Sequence, residues 1–147
     1  MPYENNVNTG NAGEYFVAGE LERRGFIVAV PMSNVEHFDI LAINKKTYKQ
    51  YAIQVKTTGF KRKEWTLDKK NEDLFGDNIF YVFVSLNQLE TPSFHIVPSK
   101  EVANTIKESH KLYLSSVGRN GQQRKDSRMR KFEDKKDIYL NRWDLLE

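Results

Sequence analysis

The chain contains no cysteine, so neither a disulfide framework nor a thiolate metal site can be built from it. That suits a reducing compartment. Long apolar runs are also missing. The most apolar stretch, NIFYVFVSL at 78–86, falls far short of the roughly 20 residues a membrane span needs. The N-terminus, MPYENNVNTGNAGEYF, is polar and acidic where a secretory leader is basic and then apolar. A soluble, unexported, cytoplasmic protein is expected. No Gly-rich phosphate loop occurs, and no Ser/His/Asp arrangement falls on strand ends. His37, His95 and His110 are scattered and show no metal-ligand spacing. No internal repeat or low-complexity tract breaks up the chain.

What is present fits one globular domain over 1–147. The 147 residues are 39% hydrophobic and 12% aromatic, enough for an ordinary core and too few for a second one. The net charge of +3 is a weak pointer to nucleic acid by itself. Its distribution says more. Arg119, Arg124, Lys125, Arg128, Arg130 and Lys131 form one cluster, and Lys61, Arg62, Lys63, Lys69 and Lys70 another.

Residues 1–8 read as a loose arm. A helix is expected over Thr9–Arg24, with Ala12, Tyr15, Phe16 and Gly19 near one face and Gly25 as its stop. Phe26–Val30 reads as a strand, broken by Pro31-Met32-Ser33-Asn34. Phe38–Ile43 and Tyr51–Thr57 read as a hairpin across the polar turn 44–50. Trp65–Leu67 is a small extra strand, followed by a short helix over Lys69–Phe75. Asn78–Leu86 has the pattern of a doubly buried central strand, and Ser93–Val97 is its expected neighbour. A helix then runs from Ser99, as cap, to about His110. Residues 115–136 read as a basic mobile loop, and 137–147 should dock back on the core. The order α-β-β-β-α-β gives a mixed α/β (α+β) domain around one sheet.

Asp39 carries the first chemical signal. It is an acid inside the apolar strand HFDIL, and a buried unpaired carboxylate costs several kcal/mol by rough estimate. In IQVKT at 53–57, Gln54 and Lys56 lie two apart and share one strand face, while Ile53 and Val55 face the core. A hairpin therefore lets Asp39, Gln54 and Lys56 converge at one end. Mg²⁺ takes hard oxygen ligands and keeps several waters. Asp39, the Gln54 side-chain oxygen and the Val55 carbonyl can supply three. Lys56 would orient or help deprotonate water, or stabilise charge on a phosphate. The bland alternative is a plain Asp39–Lys56 salt bridge.

Asp39 followed by Gln54-Val55-Lys56 resembles the D…(E/Q)XK core of the PD-(D/E)XK nuclease superfamily. Upstream, GEYFVAGEL at 13–21 with Gly25-Phe26 resembles the first helix of archaeal Holliday-junction resolvases and their restriction-endonuclease-like relatives. The likeness covers residues 10–58 and thins beyond. It implies a restriction-endonuclease-like core, Mg²⁺ or Mn²⁺ as cofactor, and hydrolysis of duplex or branched DNA to a 3′-hydroxyl and a 5′-phosphate. It adds Glu14, from the first helix, to the metal set of Asp39, Gln54 and Val55. The simpler view of Glu14 is a solvated acid near a helix N-terminus. Residues 31–34 resemble the loop before the catalytic acid, where resolvases often carry a serine near DNA. DNA contacts are therefore expected from Ser33 and Asn34 and, in the two basic stretches, from Lys61, Arg62, Arg124 and Arg128. Two departures stand out. Phe38 replaces the proline usual before the acid, and Gln54 replaces the more frequent glutamate, which thins the charge available to a metal. A catalytically inactive domain that binds nucleic acid or a protein partner is the alternative. Nucleases that cut both strands are frequently dimers, and aromatics near the C-terminus would serve a homodimer contact.

Overall fold

The computed structural model describes residues 6–31 and 38–147. Its first element, α1 (Asn6–Arg23), buries Thr9, Gly13, Val17 and Leu21. That is a straight i, i+4 row of mostly small residues. The face expected from the sequence was different. Tyr15 is 73% exposed and Phe16 47% exposed, because the narrow row of small side chains lets α1 lie closer to the sheet. The helix also starts earlier than expected, taking in 6–8 of the anticipated arm, while residues 1–5 lie outside the described residues. Gly25 ends it as anticipated, with φ at 91°, a conformation cheap only for glycine.

Five strands form the main sheet: β1 (Phe26–Ala29), β2 (Ile40–Asn44), β3 (Gln50–Thr58), β5 (Ile79–Ser85) and β6 (Ser93–Pro98), in the order β1-β2-β3-β5-β6. The β2–β3 hairpin is antiparallel in register Ile40↔Ile53, and β3 runs parallel to β5. The crossover between these parallel strands carries β4 (Glu64–Asp68) and a 3-10 turn at Lys69–Glu72. That single turn stands where a short helix to Phe75 was expected.

Alternation splits the core in two. Phe80, Val82 and Val84 of β5 face α1 with Ile53, Val55, Trp143 and Leu146. Tyr81 and Phe83 face the opposite side with Trp65, Val102, Ile106 and Phe132. β5 is thus buried on both faces, as its run of apolar residues predicts. The second layer is α2 (Ser99–Ser115) together with a two-stranded ribbon of β4 and β7 (Met129–Glu133).

Four expectations in the second half need correction. The α2 helix runs five residues past His110, and Ser99 makes no side-chain cap. Its hydroxyl instead bonds the backbone of Gly76, accepting from N–H and donating to C=O, both at 3.0 Å. The 115–136 segment is not all loop. β7 alternates Arg130 and Phe132 inward against exposed neighbours, a period-2 signal hidden by its charges. The aromatics near the C-terminus are not an exposed contact surface, because Phe132 and Trp143 are core residues.

Trp143 and Leu146 of the C-terminal segment pack in the core, and the segment is turned there by a pair not foreseen. Buried His95 and buried Asp134 share a 2.7 Å hydrogen bond. Asp134 also accepts the Ile138 and Tyr139 N–H groups, each at 2.9 Å. The C-terminal segment is thereby turned back along β6, where Asn141 N–H reaches the Phe94 carbonyl at 2.8 Å.

Candidate active site

The site grows from a hairpin with arms of unequal length. β2 stops pairing at Ile40↔Ile53, while β3 continues to Thr58. The Asp39 N–H still reaches the Ile53 carbonyl at 2.8 Å. One step further, the Asp39 side chain takes over from the missing strand. Its Oδ2 accepts the Val55 N–H at 2.8 Å and the Gln54 Nε2–H at 3.3 Å. An acid at that position satisfies a backbone donor the shorter strand leaves open.

β3 alternates as the sequence implies. Tyr51, Ile53 and Val55 are buried, whereas Gln54 and Lys56 sit half-buried on the other face. Glu14 arrives from the α1 side. The approach of α1 is set by Gly13: a Cβ built there would lie 1.8 Å from Thr57 Oγ1. Only a residue without a side chain lets the helix touch β3 at that point. Gly13 was read from the sequence only as part of the motif. Its steric role is a separate reason for its presence, visible only once β3 is in place.

The electrostatics tie the four groups together. Burial pushes the Asp39 carboxyl above its ordinary value, partly offset by the Val55 hydrogen bond and the Lys56 charge. Burial also raises Glu14, and the Asp39 charge raises it further. Burial lowers Lys56 below its ordinary value. Asp39 and Asp68 oppose that shift and Lys70 adds to it. Asp39 is the common partner: its charge acts on Glu14 and on Lys56, and its carboxylate accepts from Gln54. Shifts of this origin are a feature of functional sites, although structural networks produce them too. Among the described residues, no group of three or more His, Asp or Glu gathers where it could hold a metal. The acids here number two, with Gln54 beside them.

The expected DNA contacts are placed unevenly. Ser33 and Asn34, with His37, lie outside the described residues. Lys61 is paired with Glu90 at 2.5 Å. The Arg62 guanidinium lies over the Phe60 ring and lines a groove of about 310 Å³ with Lys56, Thr58 and Lys131. Arg124 stacks on Tyr113, and Arg128 pairs with Asp68 at 2.9 Å. Arg130, counted in the basic cluster, is buried against Glu72 at 2.5 Å.

The whole chain can be compared with solved structures. It is similar in fold to the bacterial homing endonuclease I-Ssp6803I, with a TM-score of 0.56 and 13% identity over 96% of this chain and 90% of that one. The fold is of the restriction-endonuclease type. A Holliday junction resolvase, Hjc of the archaeal hyperthermophile Archaeoglobus fulgidus, also matches, with a TM-score of 0.49 and 15% identity over 85% and 84% of the two chains. No protein-family profile and no curated protein matches the sequence. In this restriction-endonuclease-type fold, Asp39 stands just before β2 beside Gln54 and Lys56 of β3, and Glu14 lies on α1, which packs on the Ile53–Val55 face of that strand. None of the described helices is long and apolar enough to cross a membrane.

Proposed function

We propose that this chain is a divalent-cation-dependent nuclease that hydrolyses phosphodiester bonds in DNA. The observation that supports the reading is Asp39 at the open end of the β2–β3 hairpin, bonded to Gln54 and the Val55 N–H and close enough to Lys56 and Glu14 for their charges to interact. The donor set suits a hard cation. Two partly buried carboxylates repel one another, with Glu14 raised by the Asp39 charge, and a cation between them removes that penalty. Carboxylate and amide oxygens are what Mg²⁺ and Mn²⁺ take. Glu14, Asp39, the Gln54 amide and the Val55 carbonyl would hold the ion, and once bound it would supply Lewis-acid stabilisation of charge on the phosphate.

The chain's own residues have distinct tasks. Gln54 presents Nε2 to Asp39, and a half turn of the amide offers its oxygen instead. The Val55 N–H holds Asp39 Oδ2, which leaves Oδ1 for a ligand. Lys56, its pKa lowered by burial, either accepts a proton from the attacking water at Nζ or sets its positive charge against the phosphate oxygens.

The test is cleavage of plasmid, branched and single-stranded DNA with Mg²⁺ or Mn²⁺. Cleavage by the wild type is expected to fall by at least about a hundredfold in Asp39→Ala. No cleavage by the wild type, or equal cleavage by the variant, ends the reading. A second reading, a DNA-binding domain without turnover, is favoured by the neutral Gln54 and by the small number of acids at the site. Salt-sensitive binding without cleavage, with cleavage gained in Gln54→Glu, would establish it.

A further inference from the structure

We infer that the substrate's sugar–phosphate backbone runs along β4, held by a line of three cations, Arg62, Lys56 and Lys70, and not by the ion-paired Arg128, Arg130 and Lys131. The inference rests on the nuclease reading above and names the surface that presents DNA to that site.

The geometry of β4 supplies the first argument. The strand lies beside the catalytic end of β3, and the groove between them is lined by Lys56, Thr57 and Thr58 from β3 and by Glu64, Trp65 and Thr66 from β4. Arg62 opens into the same groove just before β4 begins. Lys70 follows immediately after β4, in the 3-10 turn, with its N–H on the Asp68 carboxylate at 2.9 Å. It is near enough for its charge to act on Lys56. The three cations thus occupy the start, the flank and the end of one strand. Five residues at about 3.3 Å each span roughly 17 Å, which matches about five nucleotides of one duplex strand at 3.4 Å per nucleotide. Lys56 falls between the outer two, so phosphates on both sides of a scissile bond would each meet a cation.

Charge balance supplies the second argument. Among the described residues, no carboxylate lies within ion-pair distance of Arg62, Lys56 or Lys70. Four of the neighbouring cations are already neutralised. Lys61 is held by Glu90, Arg128 by Asp68, Arg130 by Glu72 and, at 3.9 Å, Lys131 by Glu64. Using those for DNA would first require breaking a pair. The acids next to the track are occupied by the same pairs: Asp68 by Arg128 and Glu64 by Lys131. What the track presents to a phosphate is therefore net positive. Lys45, Lys46 and Lys49 also have no carboxylate partner among the described residues, but they sit on the β2–β3 turn, at the far end of the hairpin from Asp39. Arg119, Arg124 and Lys125 have none either, but they do not line this groove, and Lys69 adds its charge beside Lys70.

Counterion release makes this measurable. Removing one cation that neutralises a phosphate reduces the slope of log K against log salt by about 0.9 for duplex DNA. Binding of the full chain to a labelled 20-base-pair duplex would be followed by fluorescence anisotropy from 50 to 200 mM NaCl, without divalent cation so that nothing is cut. Arg62→Ala and Lys70→Ala are each expected to lower the slope by about 0.9, and the Lys45→Ala/Lys46→Ala double variant to keep the wild-type slope. Thermal melts check folding, and Arg62→Gln and Lys70→Gln replace any alanine variant that does not fold. Salt-sensitive binding by the wild type with the full slope kept in either variant overturns the track and leaves the nuclease reading standing. No wild-type binding at any salt removes both.

Discussion

Replacing Gly13 by alanine tests how the first helix positions the site. Helix propensity alone favours alanine by about 1 kcal/mol. At Gly13, however, the added Cβ would lie 1.8 Å from Thr57 Oγ1 and 2.8 Å from Thr57 Cβ, where real contacts essentially never fall under 3.0 Å. The obstructing atoms belong to a short β-branched side chain on the central hairpin, so they cannot swing away. The helix must retreat by about 1 Å. Overpacking of this kind costs about 1–3 kcal/mol, more than the propensity gain, so a net loss of up to about 2 kcal/mol is expected. Glu14 retreats with the helix, and if it holds the proposed cation, a displacement of about 1 Å can cost about a hundredfold in rate. Urea unfolding gives the first quantity and single-turnover DNA cleavage the second. Gly10 and Gly19 lie on the same helix with nothing within 4 Å of a built Cβ. Alanine there should stabilise by up to about 1 kcal/mol and leave cleavage unchanged. If Gly13→Ala is as stable and as active as Gly19→Ala, the close helix–strand contact does not position Glu14.

Two further predictions follow from buried charge. Asp39 holds its proton more tightly folded than unfolded, because its pKa is raised from 3.8. The folded state is therefore penalised as pH rises through the raised value, and the penalty is absent below 3.8. Without divalent cation, Asp39→Asn should thus be more stable than wild type at neutral pH, with the advantage vanishing on acidification. Mg²⁺ should reverse the order, as thermal melts across pH with and without the ion would show. Asp134→Ala should destabilise by about 3 kcal/mol, since it strands buried His95 and two backbone N–H groups. A loss within about 0.5 kcal/mol, measured by urea unfolding, would mean that the C-terminal segment is held by Trp143 and Leu146 alone.

Local pattern carried the strands well. β2, β3, β5 and β6 were legible because alternation and turn chemistry act within a few residues. That Asp39 meets Gln54 was legible for the same reason, since hairpin pairing fixes which side chains meet. The buried face of α1 was not. A row of Thr, Gly, Val and Leu has too little hydrophobic contrast to reveal it, and what selects it is close packing on β3. β7 was hidden because its inward positions include Arg130, an inward-facing cation acceptable only once Glu72 is beside it. The Arg128–Asp68 and His95–Asp134 pairs join residues 60 and 39 positions apart. No local signal announces such partners, so the basic cluster looked more available to DNA than it is.

The central claim is that Glu14, Asp39 and Gln54 share one divalent cation. Titration with Mn²⁺, followed by amide NMR, addresses it most directly, because the paramagnetic ion broadens only nearby signals. The account predicts early, selective broadening of the Val55 backbone amide, the Gln54 side-chain amide and the amides around Glu14, all abolished in Asp39→Ala. Broadening that begins at other acids, or that persists unchanged in the variant, would contradict it.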